Sequence, residues 1–495
     1  MPPFLLPFAG LLAGILAGQL QPDLIWPAVL AATALAIAAA VTACRRNPTL
    51  YMKAGRFNHV WIALLFLSAG WMEATQQKPF EYPFQKSSPF LKCEAEILTA
   101  EAKAEYDRYT VEVRKLVTKE GGIFATDNFR AIVTTPGTLA NVGDIIEIPA
   151  RFRRITNRPG YTFDYAGRMR DKGILYRQHV NPQYFKVTGS EHGLHQQCAE
   201  WHDRLVVAIE KSGLSRDNRA LAIAMLCGDR SYLPEELSEA FASTGIAHVL
   251  AVSGLHIGIV AAIILWLLFP LNLFGLYKLR FVVAAAAAWV FTLMAGAPAS
   301  AVRAAVMTSF CFAAYALERR NSSLNALLAA AFLILLVDCH AAYDIGAQLS
   351  FTCVAALIIF AGRLNPADHH AHPWLYNICG IVIVSIVATA ATWALTSHYF
   401  GRIPTMFLPV NLIVVPLIPI YIAGVLVYLA VTAIGIDVAA LALPTDIITE
   451  ALTRGSRLVA DMPGSVIEYQ TTPMVVALWS ALLLGAAIAM VRRRA

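Results

Sequence analysis

Residues 248–258, HVLAVSGLHIG, place two imidazoles, a hydroxyl and a glycine pair in a largely apolar run. On a helix Ser253 and His256 are three residues apart and lie on neighbouring faces. His248 and His256 are a little over two turns apart. Gly254 and Gly258 form a small-xxx-small pair, which lets two helices approach closely. Ionisable groups at membrane depth usually face a bundle interior or a wet path. This segment is therefore expected to be polar and closely packed on one side. The plainer alternative is a boundary His248 and a His256 bonded to a neighbouring carbonyl.

Other polar residues recur in apolar surroundings. GDRSYLPEEL brings Asp229, Arg230 and Glu236 to a membrane boundary, and GAPASAVRAAVM puts Arg303 about one turn into a span. YDIGAQLSF carries Asp344 and Gln348, and LPVNLIVVPLIP carries Asn411 with Pro416 and Pro419. Broken backbone at that depth is tolerated where it is buried in protein or lines a wet cavity. These groups read as the lining of a polar path. Enzyme chemistry is not expected: Ala251 spoils a G-x-S-x-G setting for Ser253, and no H-E-x-x-H or phosphate loop occurs. Asp338, His340 and Asp344 could hold a metal, but boundary solvation is the simpler reading. No metal and no cofactor is expected.

The elements that position these residues are apolar helices. The 495 residues are 57% hydrophobic and 15% charged, against about 25% charged in soluble domains. Spans are expected near 4–20, 24–43, 59–75, 250–275, 281–297, 300–317, 324–338, 344–362, 375–396 and 473–491, with two more in 404–445. The first reads as a retained helix, since it lacks a basic n-region and a second span follows at once. Arg45, Arg46, Lys53, Arg56, Lys278, Arg280, Arg363 and Arg492–Arg494 then all fall on the cytoplasmic side. A single span in 404–445 would break that agreement.

Residues 89–188 change character. Short alternating runs separated by Gly, Asp and Asn suggest about five strands and a small barrel, with the OB-fold as leading candidate. Between Arg151 and Lys186 there are nine Lys or Arg against Asp164 and Asp171. Arg151, Arg153, Arg154, Arg158, Arg168 and Arg170 interleave with Tyr161, Phe163 and Tyr165; Phe152, Tyr176, Tyr184 and Phe185 lie in the same stretch. Basic groups beside stacking faces suit single-stranded nucleic acid. The same composition also fits a barrel whose aromatics fill its core. Cys93 and Cys198, the two cysteines of this outer segment, are expected to form a disulfide. Residues 196–227 read as amphipathic helix lying on the barrel or the membrane surface.

The run GDRSYLPEELSEAFASTGIAHVLAVSGLHIG resembles the signature of the ComEC family of competence DNA-translocation channels. The likeness continues through NRPGYTFDY, GAPASAVRAAVM, DIGAQLSF and NLIVVP. It implies a polytopic α-helical membrane protein with an inserted extracytoplasmic all-β OB-like domain. The expected layout is 1–75 as three transmembrane helices, 76–195 as the OB-like domain, 196–248 as an amphipathic connector and 249–495 as the channel domain. The resemblance implies a multi-pass protein of the bacterial inner membrane that passes one DNA strand inward during transformation. Single-stranded DNA and membrane lipid are the expected partners, with an outer DNA receptor, a separate nuclease and a cytoplasmic motor protein. Many members carry a C-terminal metallo-β-lactamase-like domain. The expectation here is a short form, with strand degradation left to another protein. A small-solute transporter, a lipid-linked membrane enzyme and a membrane anchor with a DNA-binding ectodomain are the rival readings.

Overall fold

The computed structural model describes residues 3–20, 25–43, 58–76, 90–102, 106–118, 123–137, 140–157, 165–190, 194–318, 323–364, 373–436 and 439–492. The chain divides into two compact units. One comprises Ala9–Trp201 with Leu335–Asp344 and carries the larger sheet. The other comprises Met1–Phe8, His202–Ile334 and Ile345–Ala495 and is helical.

In the sheet-bearing unit, α1 (Leu5–Leu20) packs through its glycines on α3 (Asn58–Gln76), and α2 (Ile25–Ala43) lies between them in sequence. A Cβ on Gly14 would lie 2.0 Å from the Leu67 carbonyl oxygen, and one on Gly70 would lie 2.2 Å from that of Leu11. Gly10, Gly14 and Gly18 therefore form the close helix contact.

The sheet follows. Strands β1 (Phe90–Ala102), β2 (Asp107–Thr118) and β3 (Ile123–Thr135) form an antiparallel meander. Next come β4 (Asp144–Pro149), β5 (Arg153–Arg154), the short helix α4 (Tyr165–Asp171), β6 (Ile174–His179) and β7 (Lys186–Ser190). The order across the sheet is β5-β6-β3-β2-β1-β4-β7, and β6 runs parallel to β3. Alternation decides the faces. Cys93, Ala95 and Ile97 face a core with Val111, Val113, Ile146 and Ile148. Glu94 and Glu96 face away and pair with Lys115 and Arg114. Gln178, 6% exposed, reaches from β6 to the end of β4: its amide donates to the Pro149 carbonyl at 2.6 Å and its oxygen accepts the Arg151 N–H at 3.0 Å.

The expected Cys93–Cys198 bridge is not formed; both thiols are free. Cys93 is sealed inside the sheet core, where burial pushes its thiol pKa up. Cys198 lies on α5 (Leu194–Glu210), half-exposed. The strand alternation that places Ala95 and Ile97 in the core places Cys93 there too.

The helical unit holds α6 (Arg216–Ala222, prolonged by a π-helical turn to Cys227), α7 (Glu235–Ser243), α8 (Gly254–Leu267), α9 (Tyr277–Met294), α10 (Ala299–Ala316) and α11 (Ser323–Val337). Then follow α12 (Ile345–Ala356, prolonged by a π-helical turn to Ala361), α13 (Pro373–Phe400), β8 (Arg402–Pro404), α14 (Phe407–Ala433), α15 (Ala439–Ala460), β9 (Val466–Glu468) and α16 (Pro473–Arg492). Among the described residues four helices are long and apolar enough to cross a membrane: Tyr277–Met294, Ala299–Ala316, Leu375–Phe400 and Phe407–Ala433. Other expected spans, among them Gly254–Leu267 and Ser323–Val337, are apolar but shorter. At 1.5 Å per residue, a 14-residue helix such as α8 rises about 21 Å.

Two spans do not lie within 404–445. That region is one 27-residue helix, α14, with Pro416 and Pro419 inside it. The second helix, α15, begins at Ala439 and runs beyond the apolar region. Strands β8 and β9 pair, so the α14–α15 segment leaves and returns to the same end of the unit. Helix α15 turns its polar side inward. Thr445, Thr449, Thr453 and Ser456 are each 4% exposed or less, while Leu443, Ile447 and Leu458 are exposed.

Candidate functional site

The polar residues of the helical unit gather at helix starts. Ser253 is the N-cap of α8 and His256 its third residue. Ser300, in the first turn of α10, donates to the Val252 carbonyl at 2.6 Å. Arg303, 5% exposed, is in the second turn of α10. Gln348 lies in the first turn of α12 and accepts the Tyr399 hydroxyl at 3.0 Å from the end of α13. Asn411 lies in the second turn of α14, with its side-chain oxygen buried and unpartnered. A Cβ on Gly245 would touch Pro404 at 3.0 Å, joining the approach to α8 with the approach to α14. The starts of α8, α10 and α14 thus meet at one end of the unit, and Tyr399 at the end of α13 places the start of α12 at that same end. A helix start carries the positive end of the helix dipole, which favours anions.

The loop before α8 is held by Arg230, whose guanidinium donates to the carbonyls of Leu250 at 3.4 Å and Ala247 at 3.3 Å. Asp229 accepts the Ser231 N–H at 2.8 Å and fixes the turn after the π-helical segment. Gly228 closes that segment with φ +78°, a conformation that favours glycine. His248 bonds the Gly245 carbonyl at 3.2 Å and is exposed. Glu236 is exposed in the first turn of α7. These groups shape the approach to α8. In the sheet-bearing unit, half-exposed Asp344 immediately precedes α12.

The glycine pair departs from expectation. A Cβ on Gly254 would meet Ala304 of α10 at an ordinary 3.5 Å, and one on Gly258 would meet nothing within 4 Å. Both glycines are exposed, because α8 turns His256, Ile257 and Ile259 inward instead. Among the described glycines, Gly10, Gly14, Gly18 and Gly70 are the ones pressed against a neighbouring helix's backbone, and the first three are legible in α1 as G-x-x-x-G-x-x-x-G.

A second polar cluster escaped the sequence reading. Asn218, fully buried on α6, donates to Thr445 Oγ1 at 3.0 Å and Asp446 Oδ1 at 2.8 Å. Its side-chain oxygen accepts the Tyr421 hydroxyl at 2.8 Å. Asp446 also accepts the Ser215 N–H at 3.1 Å, and Tyr428 accepts the Gly213 N–H at 2.8 Å. This network pins the start of α6 to α14 and α15. No local sequence signal pairs Asn218 with residues more than two hundred positions away.

In the sheet-bearing unit the candidate nucleic-acid surface is the β5–β6–β3 edge. Arg151, Arg153, Arg154, Arg170, Arg177 and Arg130 are exposed there. Arg153 stands opposite Arg177 in the ladder. The described ion pairs of the sheet, Lys92–Glu147, Arg114–Glu96 and Lys115–Glu94, are on β1, β2 and β4, and none uses these arginines. Arg130 and Arg177 join the surface only through strand register. Arg158, Tyr161 and Phe163 lie outside the described residues, as does the Arg168 side chain.

The interleaved aromatics are mostly core. Phe152, Tyr176 and Phe185 are buried. Phe129 packs edge-on against Phe152 and Tyr176 with ring centroids 5.3 and 5.8 Å apart, and Tyr109 meets Phe185 at 5.5 Å. Tyr165 is half-buried and accepts a hydrogen bond from Arg108 at 3.2 Å. These rings share the sheet's core with Ile97, Leu116, Ile146 and Ile148, so they are not free to stack on bases. Tyr184, 55% exposed, is the described exception.

Comparison with known proteins bears on the helical unit. The family described as "Competence protein" matches residues 225–494. "ComE operon protein 3" of Bacillus subtilis (strain 168) is 26% identical over 286 residues, which is 54% of this chain and 34% of that protein. "Competence protein ComA" of Neisseria gonorrhoeae is 30% identical over 217 residues, 41% of this chain and 29% of that protein. The matches thus span about a third of the length of these curated relatives. No solved structure matches the chain.

Proposed function

The chain belongs to the ComEC family of competence proteins, and on that premise we propose that it is a membrane channel passing single-stranded DNA into the cytoplasm during natural transformation. The observation that carries this reading is the meeting of the starts of α8, α10 and α14 in the family-matched region, with His256 and Arg303 buried at two of them. Donors without a dense basic ring suit a polyanion that must enter and also leave. The unpaired arginines of the β5–β6–β3 edge support a preceding step in which the outer domain holds the strand.

The same reading takes the protein as a multi-pass component of the bacterial inner membrane. Helices α14 and α15 act as one hairpin, which keeps Lys278, Arg280, Arg363 and Arg492 on the cytoplasmic side. The meander, the parallel β3–β6 pair and the Gln178 bridge support an OB-like closure of the outer domain. The chain works as a conduit and not as an enzyme, with a receptor, a nuclease and a motor as separate partners.

The test is entry of labelled donor DNA in a deletion strain and its complement. The strain lacking this chain should hold label outside the cytoplasm, and the intact gene should restore entry. Normal cytoplasmic entry without the chain would refute the channel and favour a transporter or another membrane role.

A further inference from the structure

In a capping box the residue three after the cap is Glu or Gln, whose side chain accepts the cap residue's N–H. In α8 that position is His256. Its Nδ1 accepts the Ser253 N–H at 3.2 Å and lies 2.9 Å from Ser253 Oγ. A backbone N–H only donates, so Nδ1 is the acceptor and the ring proton sits on Nε2. Nε2 is buried and has no hydrogen-bond partner, and the whole side chain is 0% exposed. A buried donor left unpaired is costly. Glutamine would close the same box, so the cap alone does not explain an imidazole. The adjacent residues Gly254 and Leu255 are exposed at the start of a 14-residue helix. Their N–H groups have no acceptor within the helix, and Gly254 offers no side chain to obstruct an approach.

We infer that the amino terminus of α8 is a phosphodiester-binding step, where a phosphate oxygen of the passing strand accepts hydrogen bonds from the Gly254 and Leu255 amides and from His256 Nε2. This rests on the channel reading. In the structure Nε2 is sealed from solvent, so its contact forms as the strand parts the helix starts. Ser253 positions the ring and does not itself bind. The site offers dipole and donors but no fixed charge of its own, so each phosphate is held briefly and released.

The test uses the full chain in competent cells, with uptake measured at matched membrane abundance. His256→Gln keeps both a cap acceptor and a donor and should take up DNA within a fewfold of wild type. His256→Glu keeps the cap acceptor without the donor, and uptake should fall about ten- to a hundredfold, the worth of one hydrogen bond to a charged group. Donor DNA with a tract of methylphosphonate linkages in the transported strand should stall in wild type, because those linkages lack the anionic oxygen. Equal uptake by the Gln and Glu variants would overturn the inference, as would unhindered passage of the methylphosphonate tract. Either result, with wild type still admitting natural DNA, would leave the channel reading intact. Failure of wild type itself to admit natural DNA would sink both. Should His256→Glu not accumulate, the methylphosphonate comparison in wild type and the Gln variant decides.

Discussion

Arg153 and Arg177 face each other across the β5–β6 ladder, two exposed cations in directly opposed positions. Like charges so placed disfavour the sheet by about 0.2–1 kcal/mol. Across the ladder on the other side Arg177 meets Ile132, which offers no compensating charge. A phosphate chain lying along this edge would relieve the repulsion. Replacing Arg177 with Thr should therefore slightly stabilise the protein and weaken its hold on single-stranded DNA. The purified full chain can be titrated with an oligonucleotide at several salt concentrations. The slope of log affinity against log salt should shrink by about 0.7 for each phosphate no longer neutralised. An unchanged slope would remove Arg177 from the DNA surface.

The glycines divide into two behaviours. Gly14→Leu should collapse the α1–α3 contact, since even a Cβ would lie 2.0 Å from a carbonyl oxygen. Gly258→Ala meets open space and should raise helix stability by about 0.5–1 kcal/mol. Membrane abundance and thermal unfolding in detergent should fall for the first and hold or rise for the second.

Asn218→Leu should be severely destabilising. It removes the partner of Thr445, Asp446 and Tyr421 in a fully buried place, and each group left unsatisfied costs about 1–3 kcal/mol. A large drop in the detergent melting temperature is expected. Asn218→Leu with an unchanged melt would mean that this network does not hold α6 in place.

Arg303→Ala and Asp344→Ala should each abolish DNA entry while the protein remains in the membrane. Arg303 is buried at the start of α10, and Asp344 precedes α12, where a carboxylate suits the helix dipole. Normal transformation by both variants at normal abundance would contradict the polar end as the entry.

The thiols give a further check. In the native protein an alkylating reagent should modify half-exposed Cys198 and spare buried Cys93. After denaturation without reductant both should react. Protection of both in the unreduced denatured state would restore the disulfide.

Much was legible in the sequence because it depends on near neighbours. Unbroken apolar runs identify helices suited to lipid, and alternation in KCEAEIL separates a core face from a charged face. Ser253, His256, Arg303, Gln348 and Asn411 could be picked out because polar groups are rare in such runs. Even the glycine repeat of α1 could have been read from its spacing of four. What tertiary structure decided is which of these residues meet. Strand register, a matter of pairing partners far apart in the chain, set Arg177 opposite Arg153 and put Arg130 on β3, the next strand in. Core volume drew Phe152, Tyr176 and Phe185 inward, although their spacing equally suited a stacking surface. The rotation of α8 about its own axis buried His256 and exposed Gly254 and Gly258. Packing against α6 and α14 turned the hydroxyl stripe of α15 inward. Periodicity specifies that a helix has two faces; only the neighbours it packs against specify which face is covered.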